Sequence, residues 1–143
     1  MIDIINRQRK RKLKARYWRE FTAESLTAMK REGSDVSIVF VSNAAIRKLN
    51  KQFRGRDYVT DVLSFPAEPD QFEKRSSLGE IVIATDRAAA QAKENGLSFQ
   101  NEIEQLILHG LLHLCGYDHE TDKGEMNRLE LRLRRKLGIQ GCE

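Results

Sequence analysis

Cysteine is scarce in this chain, with two residues in 143. Two thiols, Cys115 and Cys142, cannot build the multi-bridge framework that staples small secreted domains. Long apolar runs are missing as well. No stretch approaches the ~20 residues that a helix needs to span a bilayer, and the opening Met1–Asn6 segment, too short for the hydrophobic region of a secretory leader, runs straight into charge. Internal repeats, low-complexity tracts and linkers are absent, so the expected organisation is a single domain over residues 1–143, cytoplasmic and with no membrane contact. Histidine is nearly absent too, at three residues, and their placement carries most of the chemistry.

What is present in quantity is charge. The net charge is +4 and the pI near 9.2, with the cations bunched in two places. Arg7, Arg9, Lys10, Arg11, Lys12, Lys14, Arg16 and Arg19 crowd one stretch, and Arg128, Arg132, Arg134, Arg135 and Lys136 another. Clusters of this kind suit a polyanion bound through its backbone phosphates, and they also suit solvated helix faces.

Periodicity gives the order of elements. Ile2-Asp3-Ile4 alternates as a short strand. Trp18, Phe21 and Met29, with Leu26 flanking, fit one side of a helix from about 13 to 31 that Gly33 stops. Val36–Val41 reads as a strand, and Asn43 is placed to cap a helix that turns Ile46 and Leu49 inward. Val62–Phe65 is a strand ended by Pro66, a loop begins near Glu68-Pro69-Asp70, and Leu78–Ala84 is a further strand. Helices are expected at about 86–95, 99–115 and 123–137, the last carrying Met126, Leu129, Leu133 and Leu137 at helical spacing. The fold class is therefore α/β (α+β), a small mixed sheet of about four strands packed with about five or six helices.

All three histidines lie in His109-Gly110-Leu111-Leu112-His113-Leu114-Cys115-Gly116-Tyr117-Asp118-His119. Residues four apart on a helix project from one face, so His109 and His113 can chelate one cation, while Ile103, Ile107, Leu111 and Leu114 cluster on the opposite side. Gly116 can break the helix and let the chain return His119 to the same ion. Three imidazoles suit zinc and leave a fourth position for water, the arrangement of a catalytic site, since closed structural sites have four protein ligands and favour cysteine. Asp118 is a candidate to hydrogen-bond a ligand imidazole. Cys115 reads as a small buried apolar residue beside the site.

The histidine and glycine spacing equals that of the metzincin proteases, His-Glu-x-x-His-x-x-Gly-x-x-His, but the glutamate that serves those enzymes as general base is here Gly110. A peptidase or amidase stays as the alternative that this substitution opposes, because amide cleavage needs help in protonating a poor leaving group.

The second informative block is Asn50-Lys51-Gln52-Phe53-Arg54-Gly55 through Thr60-Asp61-Val62-Leu63-Ser64-Phe65-Pro66. An arginine such as Arg54, presented before a glycine in a loop, can fork onto a phosphate and offset charge that develops during hydrolysis. With these blocks, and with Leu78-Gly79-Glu80-Ile81-Val82-Ile83 between them, residues from about 35 to 137 resemble the YbeY family of bacterial endoribonucleases, also called rRNA maturation factors. The resemblance implies a small mixed sheet with helices about it, and a single-strand-specific ribonuclease that requires a divalent metal, usually zinc. It also implies a part in maturing the 3′ end of small-subunit (16S) rRNA and in ribosome quality control, with ribosomal RNA, the small subunit and assembly factors as partners. Carried over, the metal ligands are His109, His113 and His119, and the functional arginine, for substrate binding and catalysis, is Arg54. Three positions depart from the family: Val59 for a common proline, Glu80 for aspartate, and Cys115 for an aliphatic residue. A non-enzymatic assembly factor with a stabilising zinc is the remaining alternative.

Overall fold

In the computed structural model of the chain, the described residues are 1–67, 77–117 and 124–139. Among them the chain runs β1 (Ile2–Asn6), α1 (Ala15–Ala28), β2 (Asp35–Val41), α2 (Asn43–Arg54), β3 (Val62–Pro66), β4 (Ser77–Ala84), α3 (Thr85–Glu94), α4 (Phe99–Leu114) and α5 (Glu125–Leu137). The expected mixed sheet is present, with four strands in the order β1-β2-β4-β3. β1, β2 and β4 are parallel, and β3 pairs with β4 in the antiparallel sense at one edge.

The central strands explain the layering. Val36 and Ile38–Val41 of β2, with Ile81–Ala84 of β4, are apolar and buried without alternation, the pattern of strands covered on both faces. One face takes α1, α4 and α5 and forms the larger core, built on Trp18, Phe21, Ile38, Phe40, Ile81 and Ile107. The other face holds a smaller cluster, Val39, Val41, Ile46, Leu63 and Val82, under α2. No helix among the described residues is long and apolar enough to cross a membrane.

Two expectations are corrected in detail. α1 ends at Ala28, before Gly33 is reached, because Lys30 turns left-handed at φ 60 and the Arg31 amide reaches back to Leu26 O at 2.8 Å, the closing bond of a Schellman-type end. Leu26 is consequently one of the fully buried residues, while Met29 packs only partly against the core. Asn43 is not the cap of α2. Ser42 is, its Oγ accepting from the Ala45 amide at 3.2 Å. Asn43 Oδ1 instead accepts from the Arg87 amide at 3.1 Å, so it satisfies an orphan donor in the first turn of α3, a helix whose own N-cap, Ala84, has no side-chain oxygen. Finally, Glu68-Pro69-Asp70 lies outside the described residues.

β4 carries one extra residue against β2: Asp35 faces Ser77 and Val36 faces Gly79, skipping Leu78. At this bulge Gly79 has φ +129, and a Cβ there would lie 2.1 Å from Phe65 O and 2.8 Å from Ala67 N on the neighbouring strand. Gly79→Ala should therefore cost roughly 2–4 kcal/mol in urea unfolding, from combined dihedral strain and backbone clash. Gly96→Ala, at φ +68 with open space around the added methyl, should cost only about 1 kcal/mol. Equal losses at the two positions would show that the contact with β3 does not matter.

Candidate active site

The site is built on α4. Ser98 caps it by accepting from the Asn101 amide at 3.0 Å, and Ile103, Ile107 and Leu111 are wholly buried against the sheet as the helical wheel requires, with Leu114 only partly covered. The wheel leaves His109 and His113 half-exposed on the other side. Their Nε2 atoms converge to 3.0 Å, with ring centroids 4.5 Å apart and planes at 81°. Two ring nitrogens so close need either a proton or a cation between their lone pairs. Tetrahedral ligands at about 2.0–2.1 Å from zinc stand ~3.3 Å from each other, so the pair is near the bite of a chelate.

His119 and Asp118 lie outside the described residues, and among those described no group of three His, Cys, Asp or Glu gathers around a point. The fit of this site to a divalent ion therefore rests on the two imidazoles and on what stands behind them. Behind His109 is Glu130 of α5, its Oε1 3.5 Å from His109 Nδ1 and 3.1 Å from an Arg134 Nη. Burial pushes the Glu130 carboxyl up, but the His109 ring and the Arg134 guanidinium outweigh it and hold the group below its ordinary range. A carboxylate facing Nδ1 favours the proton on that nitrogen, which leaves Nε2 as a lone-pair donor toward the cleft. The donor set fits zinc.

Glu130 was missed in the sequence, although a signal existed. Met126, Glu130 and Leu133 are the buried residues of α5, so a carboxylate stands at a core position of the helical stripe, where an unpaired acid is seldom tolerated. Leu129 and Leu137, expected in that stripe, pack at its margin.

Gly110 also gains a physical reason. A Cβ at this position would meet three side-chain atoms of fully buried Ile81 at 2.9–3.0 Å. The glycine is where α4 touches β4, and that contact leaves no room for a glutamate.

Arg54 is brought to the same place. It is the last residue of α2, not a loop residue, with Gly55 as the left-handed cap, and its Nη donates to Ser64 O on β3 at 3.3 Å. A cleft of about 490 Å³ is lined by Arg54, Asp61, Val62, Ser64, Pro66, His109 and His113. Val62, Ser64 and Pro66 are the alternate residues of β3 that face α4. The bond to Ser64 uses one of the guanidinium's five N–H donors, and the remainder are available to a ligand.

The wall opposite is fixed by a polar chain that sequence reading did not find. Asp61 Oδ1 accepts from the Val62 amide at 2.8 Å, and Gln91 Nε2 donates to both Asp61 Oδ2 and Glu102 Oε1 at 2.8 Å. Glu102 is buried on α4, two turns before His109, so α3, α4 and the start of β3 are locked together. The basic run near the N-terminus is partly consumed by the fold. Lys10 and Arg11 reach Asp86 at 3.3 and 3.6 Å, Arg11 also lies over Phe99, and Arg16 pairs with Glu20. Cys115 is half-buried, with burial raising its thiol pKa, which suits an inert packing residue; Cys142 lies outside the described residues.

Residues 3–138 match the family model described as Endoribonuclease YbeY. Similar proteins named Endoribonuclease YbeY include those of Solibacter usitatus, 45% identical with 76% of this chain and 69% of the relative covered, and Nautilia profundicola, 48% identical with 73% of each covered. That of Alkaliphilus metalliredigens is 38% identical, with 95% of this chain and 94% of the relative covered. The fold is similar to the solution structure of TM1509 from Thermotoga maritima, with TM-score 0.66 and 28% identity, covering 96% of this chain and 89% of that one.

If Glu130 orients His109, Glu130→Gln should lower zinc affinity about tenfold in a competition titration against a chromophoric chelator, with the fold intact. The same carboxyl has a linkage signature. Its folded pKa is depressed, so the stability it contributes is present above its ordinary value of 4.5 and lost as pH falls through the lower, folded value. Acid unfolding of Glu130→Gln should lack that component.

Proposed function

The chain belongs to the Endoribonuclease YbeY family, and we propose that it is a zinc-dependent endoribonuclease that cuts single-stranded RNA in the cleft between α4 and β3. The observation that carries this is the meeting of Arg54 and the paired imidazoles in one cleft, although they come from segments more than fifty residues apart. In this reading His109, His113 and His119 hold the ion, which when bound supplies Lewis acidity and a lowered pKa for water.

The protein's own residues do the rest. Arg54 offers paired N–H donors matched to two phosphate oxygens. Anchored through Ser64 O, its guanidinium is held over the cleft before the ligand arrives, so little reorganisation accompanies the growth of negative charge on the phosphate. Glu130 holds the His109 ring in orientation and tautomer. Asp61, Gln91 and Glu102 keep the wall of the cleft in register with α4.

Gly110 supports a phosphodiester substrate over an amide. The position that would carry a protease's general base is filled by the α4–β4 contact. An alkoxide leaving group is less demanding of a proton donor than an amine, so its loss is tolerable for RNA. We further place the activity in the cytoplasm, in maturation of the small-subunit rRNA 3′ end and ribosome quality control, where ribosomal partners present the strand. A net positive charge fits an enzyme that holds RNA through its backbone and whose cutting position is set chiefly by presentation.

Full-length protein on a labelled single-stranded RNA should cleave, stop on chelation and resume on adding zinc. Arg54→Ala should reduce the cleavage rate roughly 10²- to 10³-fold while retaining zinc, and His113→Ala should lose both metal and activity. Cleavage that persists in both variants would refute the assignment.

A further inference from the structure

A second concave site lies on the other face of β3. It is a groove of about 390 Å³ lined by Val39, Val41, Leu49, Val82, Phe53 and Phe65, with Arg7 and Glu80 at its borders. Its centre is an aromatic pair, Phe53 and Phe65, with centroids 5.3 Å apart and planes at 70°. Phe53 is 58% exposed, the largest exposure of any aromatic side chain among the described residues. Glu80 stands directly opposite Phe65 in the β3–β4 register, so its carboxylate borders the same groove. Arg7 extends β1, its amide bonded to Phe40 O at 2.8 Å, and among the described residues neither Arg7 nor Glu80 has an ion-pair partner.

This groove adjoins the cleft. Phe53 precedes Arg54 at the end of α2, and Phe65 sits between Ser64 and Pro66, which face the cleft. Period-two alternation of β3 thus turns Phe65 to one side of the edge strand, against Phe53, and Ser64 and Pro66 to the other, where Arg54 lines the cleft. The helix that carries Phe53 is electropositive: Lys48, Lys51, Arg54 and Arg56 are exposed along α2 and just beyond it, and the one acid of that stretch, Asp57, is paired with Arg47 at 2.8 Å. An aromatic face with one donor cation, one acceptor carboxylate and a basic border matches a base carried on a phosphate chain better than an apolar peptide.

We propose that the groove is a nucleobase subsite. A base of the strand whose phosphate lies on Arg54 stacks on Phe53, Glu80 accepts from its exocyclic amino group, and Arg7 donates to a ring or carbonyl acceptor. The inference rests on the endoribonuclease reading and narrows its substrate to strands with an unpaired, amino-bearing base beside the cut. Base–aromatic stacking is worth enough that losing the ring is measurable, and it is available only to bases free of a duplex. A carboxylate acceptor distinguishes amino-bearing bases from uracil.

The test measures binding by full-length protein in chelator, where nothing is cut. The probes are oligo(A), oligo(U) and an abasic ribose–phosphate of the same length. Phe53→Ala, at an exposed position that circular dichroism should show to be tolerated, is expected to weaken oligo(A) binding about tenfold and to leave the abasic strand unaffected. Glu80→Gln should narrow the preference for oligo(A) over oligo(U). In Phe53→Trp the new indole is expected to be quenched by oligo(A) and not by the abasic strand, against a constant background, because Trp18 is buried out of reach of the strand. Unchanged oligo(A) affinity in Phe53→Ala, or equal quenching by the abasic strand, would overturn the subsite. So would a Phe53→Ala shift from dimer to monomer in sedimentation with RNA binding intact, which would assign the groove to a second copy of the chain. Wild-type protein that binds RNA by these criteria but never cuts it with zinc restored would refute the nuclease and spare the subsite; the reverse pattern would refute the subsite alone.

Discussion

The contact between α4 and β4 at Gly110 sets the distances on which the rest of the site depends. A helix usually keeps its axis about 10 Å from a sheet because side chains intervene; at a glycine the backbone itself can come down onto the strand. Here the atoms waiting under Gly110 belong to Ile81, which is fully buried and paired to Ser64 of β3. Bringing α4 that close to β4 also brings the residue beside the glycine, His109, and its neighbour one turn on, His113, over the adjacent strand. Arg54 is tied to that same strand through Ser64 O. The imidazole pair and the arginine are thus located from one short stretch of β3, the imidazoles through packing and the guanidinium through a hydrogen bond.

A site assembled that way has little slack. Gln91 bridges Asp61 to Glu102, so the loop entering β3 is fastened to α4 well below the histidines. Glu130 fastens α5 to His109 from the far side. Both bridges are buried or partly buried, where a hydrogen bond is stronger and an unmatched partner costs more. Rigidity of this kind serves electrostatic catalysis, whose benefit depends on donors that need not move when charge develops.

Much of this was legible in the sequence and the remainder has identifiable reasons. The fold class, the strands and α4 with its histidine pair rest on local periodicity, and they stand close to their expected bounds. The errors fall where a local signal has a distant user. Asn43 has the chemistry of a cap and is one, but for α3, which only tertiary structure brings near. Arg54 before Gly55 looks like a loop residue because a glycine in left-handed conformation ends helices as well as making loops. Glu130 was visible as an acid in an apolar stripe, yet its partner His109 lies on another helix. Gln91 carries no signal at all, since an amide on a surface helix is unremarkable until the two carboxylates it joins are placed. Gly110 was noticed for the glutamate it lacks, and the structure supplies the packing that excludes one.

The position of β3 at the edge of the sheet bears on why the strand should be single. An exposed edge is ordinarily a hazard, because its free carbonyls and amides invite another chain. Here Arg54 covers part of it by taking Ser64 O, and the strand's two faces open onto different surfaces, a polar cleft and an aromatic groove. A ligand that touches both must pass around the edge within one or two nucleotides. A duplex cannot turn so sharply within one or two base pairs, since double-helical DNA is stiff, with a persistence length of about 150 base pairs, and its bases are already stacked and paired. A single strand bends freely, and its bases gain by stacking on protein. Selection for single strands then needs no recognition of sequence or of duplex ends. It follows from the width of one β-strand.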